Sequence, residues 1–355
     1  MGDIRGGINE TFVDAIRKRA KSGPGLYVAI RHGEVYVNLK RPGFQTRLYA
    51  ALMLLHRAAS RHHAALPDLE LVIGCRDQPH PGAPFLAWCR PKADQLTWLY
   101  PDYSYYDWPE IEMPPYLAVH KRIAAVSAHV PFANRTNKFF WRGNLQLSGG
   151  LCKVRQALLD QLGNRTDIAD VQSIPRIKDI RKNHSIAPAF TPLWDFCRHK
   201  YVVYTEGVSW SARLKFHLLC GSVLVSHPLS WDTLETLTME EGKNVVTVKD
   251  REWSDVVQLH ERLEGDPALA ESIAAENRQY HHLLSGDGIT CYILELLRCY
   301  SEAMTYTPSF NTSQLLHLEA FLLDKLNRRD AETTVQGGDE GDDEGGYGGG
   351  AYGGE

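Results

Sequence analysis

The sequence predicts an α/β protein with two structural units, and three segments carry that prediction. Residues 199–226 contain an apolar strand, a turn, a helix and a second apolar strand, a pattern that requires a parallel sheet. Residues 46–74 contain apolar positions at helical spacing and then a short apolar run, as expected for a helix followed by a buried strand. Residues 139–162 repeat the order of strand and helix.

The first unit is predicted to open with a β-hairpin whose turn is His32-Gly33, because β-rich runs flank these two residues. A helix over residues 46–64 and a strand over Leu69–Gly74 follow. The strand leads into a polar loop that contains Asp77. A carboxylate in such a loop can take a proton from an acceptor hydroxyl, and the alternative is a turn-capping role before Pro79.

The second unit is predicted to begin near Lys138 and to end in helices over residues 253–328. We therefore divide the chain into domains 1–133 and 134–328 and a tail, 329–355. The tail is rich in Gly, Asp and Glu and has no apolar periodicity, so it cannot bury enough surface to offset its ordering entropy. We expect it to be disordered.

The charge distribution favours an anionic small molecule as ligand. The formal net charge is -4, but residues 330–355 hold eight Asp or Glu and no Lys or Arg, which leaves 39 basic against 35 acidic residues elsewhere. A mildly basic folded part suits a nucleotide, whereas a nucleic-acid partner would require a dense basic stripe. We expect no nucleic-acid partner.

Compartment signals in the sequence point in two directions. No run of about 18 apolar residues predicts a membrane span, and the first residues lack the apolar stretch of a signal peptide. Taken literally, these observations indicate a soluble cytosolic protein. Four Asn-x-Ser/Thr sequons, at Asn134, Asn164, Asn183 and Asn311, instead suggest glycan sites of the secretory pathway.

A metal site is not expected. The seven cysteines include no Cys-x-x-Cys pair and no Cys/His cluster at zinc spacing, so buried free thiols are the alternative interpretation. The folded region also lacks an Asp-x-Asp sequence to hold a catalytic cation. We expect a metal-independent reaction without a cofactor.

A candidate anion site lies in the turn between the two strands of residues 199–226. Gly207 permits close backbone approach, the hydroxyls of Ser209 and Ser211 can donate hydrogen bonds, and Arg213 offers a guanidinium fork. Val208 lies within the same turn. Because backbone N–H groups at a helix start also attract anions, the turn fits a diphosphate; plain helix capping is the alternative.

Two further arginines are predicted to join this site. Arg142 and Gly143 end a strand, Asn144 follows, and Arg155 lies in the first turns of the next helix. Ligands of open α/β sheets bind beyond the carboxyl ends of the strands, so Arg142 and Arg155 are expected to converge with Arg213 on one negative group. The alternative for each is a surface ion pair.

An aromatic segment, Pro101–Glu110, is a candidate acceptor surface because Tyr and Trp side chains can stack on sugar rings. We assign Tyr100, which directly precedes this segment, and Asp102 and Trp108 within it to the acceptor side. The alternative is that these aromatic side chains cap the core between the two units.

The motifs together resemble the family 90 glycosyltransferases over residues 4–305, including the protein O-glucosyltransferases of EGF repeats and fungal capsule-associated proteins. They are Arg5-Gly-Gly-Ile8, Arg76-Asp77-x-Pro79, Tyr100-Pro101, Phe140-Trp-Arg-Gly143, Lys200-Tyr201, Glu206-Gly207-Val208-x-x-Ser211-x-Arg213-x-Lys215, Leu219-Cys-Gly-Ser-Val223 and Thr290-Cys-Tyr292. The aromatic segment after Tyr100-Pro101 is more similar to the fungal branch.

The resemblance implies a GT-B fold, with two Rossmann-like units facing a cleft and helices at the C-terminus. It implies an inverting, metal-independent transfer of xylose or glucose from a UDP-sugar to a hydroxyl of a glycan or glycoprotein. Asp77 matches the general base, and Arg155, Ser211 and Arg213 match residues that hold the donor diphosphate. Asn144 departs from the Ser that the protein O-glucosyltransferases have at this position.

The resemblance also assigns the domains, a disulfide and a compartment. The first domain is on the acceptor side, the second binds the nucleotide sugar, and Cys197 and Cys220 match a family disulfide. Members work in the Golgi or endoplasmic reticulum lumen, so a chain that begins at the first shared motif suggests a truncated gene model. The alternatives are an inactive relative that binds nucleotide sugar or glycan, and a sugar-nucleotide hydrolase.

Overall fold

A computed structural model describes residues 7–9, 11–12, 18, 25–38, 45–79, 83–147, 150–175 and 191–324 of the chain. The predicted disordered tail, 329–355, and the sequon at Asn183 lie outside these residues. Two α/β units make up the described part, each with its own main sheet. The predicted α/β class and two-unit GT-B arrangement are confirmed.

The first sheet has six strands in the order β15-β2-β1-β3-β4-β6. The strands are β1 (Gly25–Arg31), β2 (Glu34–Asn38), β3 (Leu69–Gly74), β4 (Leu86–Ala87), β6 (Trp98–Leu99) and β15 (Leu316–His317). The strands β3, β4 and β6 run parallel, whereas β1 runs antiparallel to both β2 and β3. The first sheet is therefore mixed.

The predicted hairpin explains why this sheet is mixed. The two residues between β1 and β2 are His32 (φ 53°) and Gly33 (φ 83°), and two left-handed residues in a two-residue loop are typical of a type I′ turn. A two-residue loop can join only antiparallel strands, because a parallel pair needs a longer crossover.

The second sheet has five parallel strands in the order β10-β7-β11-β12-β14. They are β7 (Thr136–Gly143), β10 (Ala169–Ser173), β11 (His199–Tyr204), β12 (Val223–Ser226) and β14 (Val246–Thr247). The chain moves from β7 to β10 on one side and then returns to place β11 on the other side. The strand order therefore reverses between β7 and β11, which makes the gap between their carboxyl ends a topological switch point.

Helices cover the sheets, and two short strand pairs extend the loops. The helices are α1 (Gln45–His62), α2 (Tyr116–His129), α3 (Lys153–Leu162), α4 (Leu214–Leu219), α5 (Val256–Gly265), α6 (Pro267–Asn277), α7 (Tyr280–Leu283) and α8 (Gly286–Ala303). The short pairs are β5 (Arg90–Pro91) with β13 (Trp231–Asp232), and β8 (Gln146–Leu147) with β9 (Gly150–Leu151).

The long helix α8 belongs with the first unit. The apolar face of α8 is buried in the same cluster as α1 and the inner face of β1, and β15 adds to β2 at the edge of the first sheet. The assignment of all terminal helices to domain 134–328 is corrected accordingly. Burial decides the outcome, because the α8 side chains Ile293 and Tyr300 are fully buried in this cluster.

A buried ion pair joins the two units. Lys215 on α4 is 0 % exposed, and its Nζ donates to Asp102 Oδ2 of the first unit at 2.5 Å. Glu235 Oε1 lies 3.9 Å from the same Nζ and accepts the hydroxyl hydrogen of Tyr105 at 2.7 Å. Because unpaired buried charges are costly, this cluster holds the segment around Asp102 against α4.

A disulfide lies within the second unit. Cys197 and Cys220 are bonded, as the resemblance implied, and they tie a short 3₁₀ helix, Leu193–Arg198, to the end of α4. The bond closes a loop with a sequence separation of 23 residues.

Reduction of this disulfide is expected to lower the free energy of unfolding by about 3 kcal/mol, because an open loop of this length gains conformational entropy when unfolded. Urea unfolding with and without reductant measures the change. A Cys291→Ser variant, at an exposed free cysteine, should respond to reductant like the parent protein. A parent protein whose unfolding midpoint is unaffected by full reduction would contradict the prediction.

Burial lowers the pKa of several histidines in the fold. The pKa of His227 falls to about 3 and that of His281 to about 4, mainly through burial. His227 Nε2 accepts the N–H of Glu206, so Nδ1 carries the proton and donates to the carbonyl oxygen of Pro228. The neutral ring is therefore the form that the folded protein holds.

These histidines should make the protein less stable at pH 5.5 than at pH 7.5. Below about pH 6.5 the unfolded chain takes up protons while the folded rings stay neutral. This difference lowers the free energy of unfolding by about 1 kcal/mol per histidine at pH 5.5. Urea unfolding at both pH values measures this. A His227→Gln variant should show a smaller pH dependence than a His129→Gln variant, since His129 is exposed. Equal pH dependence in the two variants would count against the assignment.

Candidate active site

A cavity of ≈740 Å³ opens at the switch point of the second sheet. Such a volume suits a small-molecule ligand, and its position matches the ligand sites of open α/β sheets. Its walls come from the pair β8–β9, the start of α3, two loops of the second unit and one residue of the first unit. The lining residues are Gln78, Leu147, Gly150, Leu151, Cys152, Lys153, Val154, Gln156, Ala157, Asp160, Gly207, Val208, Arg251 and Glu252.

The positive charge in this cavity comes from residues that the motif analysis did not select. Lys153 begins α3, and the N-cap residue Cys152 makes no side-chain capping bond. The ten-residue helix α3 thus directs its N-terminal N–H groups and a lysine toward the cavity. Arg251 also lines the cavity. These groups can bind an anion, and the carboxylates of Asp160 and Glu252 line the cavity as well.

Glu206 holds together the loops beside the cavity. From the sequence it was not selected as a functional residue of its own. Its carboxylate is buried and accepts the N–H groups of Ser230 at 2.8 Å and Trp231 at 2.9 Å. Arg251 Nη1 donates to Glu206 Oε2 at 2.8 Å. In the sequence, Glu206 is marked by its position immediately before Gly207. The residues that pair with its carboxylate lie more than 20 positions further along the chain, so the pairing could not be predicted.

Arg155 braces the two loops at the switch point. Its side chain is 0 % exposed; Nε donates to the carbonyl oxygen of Glu206 at 3.1 Å and Nη1 to that of Asn144 at 2.8 Å. Asn144 Oδ1 accepts the N–H of Gln146 at 2.6 Å, which shapes the turn into β8. Arg155 therefore connects the ends of β7 and β11, and a direct contact with a ligand stays a prediction for it.

Arg142 lies elsewhere than expected. Its guanidinium turns back along the sheet, where Nη2 donates to Asp170 Oδ2 at 2.9 Å and the group lies 4.3 Å from the centre of the Phe140 ring. Burial alone would raise the pKa of Asp170, but the bonds and charge of Arg142 outweigh it and lower that pKa. Only the backbone of Arg142 reaches the site, where its carbonyl oxygen accepts Arg213 Nη1.

Gly143 is required by close packing at the end of β7. A Cβ atom there would lie 2.3 Å from Trp141 Cζ2, far inside van der Waals contact. The indole cannot easily move, because Trp141 is buried and its Nε1 donates to Thr205 Oγ1 at 3.1 Å. Gly143 thus serves the packing of the strand ends beside the cavity.

The predicted anion-binding turn has a different local structure from the one expected. The helix α4 begins at Leu214 and has only six residues, so the turn gains no helix N-terminus at Ser209. Gly207 and Val208 do line the cavity. Ser211 Oγ is buried and has no hydrogen-bond partner among the described residues, and neither Ser211 nor Arg213 lines the cavity. Arg213 is half-buried beside it.

Ser209 connects the two units instead of facing the cavity. Its buried hydroxyl donates to the carbonyl oxygen of Asp77 at 2.6 Å. Next to this bond, Gln78 Nε2 donates to the carbonyl oxygen of Val208 at 3.3 Å. We call these two bonds the interdomain clasp. The clasp brings the loop after β3 directly against the cavity.

Asp77 therefore lies beside the cavity, at the junction of the units. Its side chain is 28 % exposed, and Oδ1 accepts a hydrogen bond from Arg47 Nη1 at 2.6 Å. A partly exposed carboxylate next to a ligand-sized cavity is suited to act as a general base. The described contacts do not support the turn-capping alternative, since the side chain of Asp77 pairs with Arg47 of α1.

The three acceptor-side residues are buried, which corrects their assignment to a stacking surface. Tyr100 donates from its hydroxyl to the carbonyl oxygen of Ala51 at 3.0 Å, Asp102 is paired with Lys215, and Trp108 packs edge-on against Tyr103. The aromatic segment caps the core between the units, as the alternative interpretation proposed. Spacing alone could not separate these cases, because an aromatic loop is compatible with both burial and exposure.

The described residues also bear on metal ions and membranes. They contain no group of three or more His, Cys, Asp or Glu residues arranged to hold a metal ion. Among the same residues, no helix is both long and apolar enough to cross a bilayer.

Replacing Gly143 by Ala should destabilise the protein by about 1–3 kcal/mol, because the added methyl group overlaps the Trp141 indole. Gly265→Ala is the matched control, since a Cβ at Gly265 meets no atom within 4 Å. Urea unfolding of both variants measures the difference. Equal unfolding free energies for the two variants would show that the close contact has no energetic consequence.

Curated relatives of the chain are protein O-glucosyltransferases. Protein O-glucosyltransferase 1 of Rattus norvegicus is 24% identical over 265 residues, which cover 68% of this chain and 64% of the relative. O-glucosyltransferase rumi of Drosophila pseudoobscura pseudoobscura is 24% identical over 279 residues, covering 72% of this chain and 66% of the relative. The chain thus spans just under two thirds of the length of these proteins.

Solved structures overlap with about half of the chain. The structure of HepE from Anabaena in complex with UDP and glucose gives a TM-score of 0.35 at 12% identity, covering 51% of this chain and 54% of that one. Sucrose-phosphate synthase from Thermosynechococcus elongatus gives a TM-score of 0.30 at 13% identity, covering 53% and 43%.

A family model covers nearly all of the described part of the chain. The model, described as glycosyl transferase family 90, matches residues 6–324. This span includes both sheets, the cavity at the switch point, the interdomain clasp and Asp77. The chain belongs to glycosyl transferase family 90.

Proposed function

We propose that this protein is an inverting glycosyltransferase that moves a sugar, xylose or glucose, from a UDP-sugar to a hydroxyl of a glycan or glycoprotein without a metal ion. The observation that carries the proposal is the position of Asp77. This carboxylate lies in the loop that the interdomain clasp holds against a cavity suited to an anion. Base and donor site are thus adjacent although they come from different units.

The donor diphosphate is proposed to bind between the start of α3 and the turn after β11. Lys153 and the N–H groups of α3 supply positive charge, Gly207 leaves room for a phosphate, and Ser211 Oγ needs a partner. Arg213 is proposed to stabilise the charge that develops on the diphosphate as the sugar leaves. Preorganised donors of this kind can contribute roughly 3–4 kcal/mol each to the lowering of the barrier.

Asp77 is proposed to act as the general base. Its carboxylate takes the proton of the acceptor hydroxyl while the acceptor oxygen forms a bond to the anomeric carbon of the sugar. The bond between this carbon and the β-phosphate oxygen breaks, and UDP leaves with the electron pair. Attack from the face opposite UDP inverts the configuration at the anomeric carbon.

Support for a lumenal site of action comes from covalent features of the chain. A disulfide between Cys197 and Cys220 is typical of an oxidising compartment. The sequon residues Asn134, Asn164 and Asn311 are all exposed, as glycan acceptors must be. We therefore propose that the protein works in the secretory pathway. Because its relatives are named as O-glucosyltransferases, we also propose that its acceptor is a protein or a glycan.

An Asp77→Asn variant should lose about 10²–10⁴-fold of the transfer rate, because the amide cannot accept the proton, while its affinity for UDP stays unchanged. The assay is release of UDP from UDP-xylose or UDP-glucose, with and without EDTA, in the presence of an EGF-repeat protein or a fungal capsular polysaccharide. Calorimetric titration with UDP measures the affinity.

Asp287→Asn is the matched control, since Asp287 is an exposed carboxylate that also pairs with an arginine, Arg61. It should transfer sugar at the parent rate. An Asp77→Asn variant with full activity would refute the base assignment. A parent protein that binds UDP and cleaves neither donor would instead support an inactive binding relative, and activity abolished by EDTA would refute metal independence.

A further inference from the structure

The aromatic segment after Tyr100 has no part in the donor cavity, yet it packs beside the proposed base. The Tyr103 ring is buried and held on two sides by edge-on contacts. Its centroid lies 4.7 Å from that of Trp88 and 5.1 Å from that of Trp108. We call these three residues the aromatic seat. Because aromatic rings held edge-on have little freedom to rotate or slide, the face of Tyr103 has a fixed position.

The face of Tyr103 supports an arginine. Arg47, in the first turn of α1, places its guanidinium carbon 4.6 Å from the centre of the Tyr103 ring. The side chain of Arg47 is only 9 % exposed, so the ring replaces part of its hydration. A planar guanidinium stacked on a rigid ring keeps its N–H groups in one orientation.

In this orientation the guanidinium of Arg47 faces Asp77. Arg47 Nη1 donates to Asp77 Oδ1 at 2.6 Å, which engages one oxygen of the carboxylate. The backbone of Asp77 is held separately, because its carbonyl oxygen accepts Ser209 Oγ at 2.6 Å and Cys89 Sγ at 3.1 Å. The main chain of the base is thus held by the clasp, and the rotation of its side chain is left to Arg47.

We propose that Arg47, supported by the aromatic seat, is the positioning residue for Asp77 and presents its Oδ2 to the acceptor hydroxyl. This inference rests on the proposed function, since it assumes that Asp77 is the base. Arg47 acts through Asp77 and does not touch the sugar donor. Its loss therefore slows turnover without changing the binding of the donor.

The experiment compares Arg47→Gln and Arg47→Lys with the parent protein by steady-state release of UDP from the donor that the parent cleaves. We expect Arg47→Gln to lower kcat at least tenfold while KM for the donor stays within twofold. Arg47→Lys keeps a positive donor near Asp77 and should recover part of the lost kcat. Because a partly unfolded preparation would also lower the apparent kcat at unchanged KM, kcat is expressed per UDP-binding site counted by calorimetric titration.

The aromatic seat is tested by two substitutions of Tyr103. Tyr103→Leu keeps an apolar side chain but removes the ring face, and it should reproduce the lowered kcat with unchanged KM. Tyr103→Phe keeps the ring face and should stay within twofold of the parent kcat. Equal losses in both variants would show that the hydroxyl matters and not the ring, which would overturn the role of the seat.

Asp77→Asn, measured in parallel, separates failure of this inference from failure of the proposed function. If Asp77→Asn loses transfer and Arg47→Gln keeps the parent kcat, only the role of Arg47 is overturned. If Asp77→Asn keeps transfer, or the parent cleaves no donor, the proposed function fails and the inference fails with it. Should Arg47→Gln not fold, as judged by urea unfolding, Arg47→Lys and Tyr103→Leu decide by the same comparison of kcat with KM.

Discussion

The buried pair of Lys215 and Asp102 is the constraint on which the relation between the two units depends. Both side chains are nearly or fully inaccessible, and they come from different units. Removing two charges from water is costly, and their attraction offsets the cost only in one close geometry. Sliding of one unit against the other would separate them and leave a buried charge unpaired. The pair thus favours a single arrangement of α4 and the segment that holds Tyr103.

The candidate site is built around that arrangement, and each half depends on the other. The second unit supplies most of the cavity lining, including Lys153 and Arg251, whereas the first supplies Asp77 and Arg47. The interdomain clasp connects the halves through main-chain oxygens of Asp77 and Val208. Because these bonds use carbonyl groups, the clasp leaves the carboxylate of Asp77 available for chemistry. Placement of the base is therefore coupled to the loop that borders the donor cavity.

The arginines of the second unit show why residue type alone is a weak guide to function. Arg142, Arg155 and Arg213 all follow or flank strand ends, where anionic ligands bind in such folds. In the structure, each donates to main-chain carbonyl oxygens of nearby strands or loops. An arginine is well suited to this structural role, since its several N–H groups can satisfy carbonyl oxygens that strands leave unpaired. The same groups that recognise a phosphate also brace a loop.

Local patterns in the sequence were sufficient to predict four features of this protein. They are the strand Leu69–Gly74, the His32-Gly33 turn, the parallel strands of the second sheet and the family motifs around Asp77. These features depend on neighbouring residues, through periodicity, turn chemistry or motif spacing. The burial of Trp108, the return of α8 to the first unit, and the pairing of Arg47 with Asp77 depend on contacts between distant segments. Only tertiary packing decides such contacts, because an aromatic ring or an arginine has the same local sequence signal whether a distant partner covers it or water does.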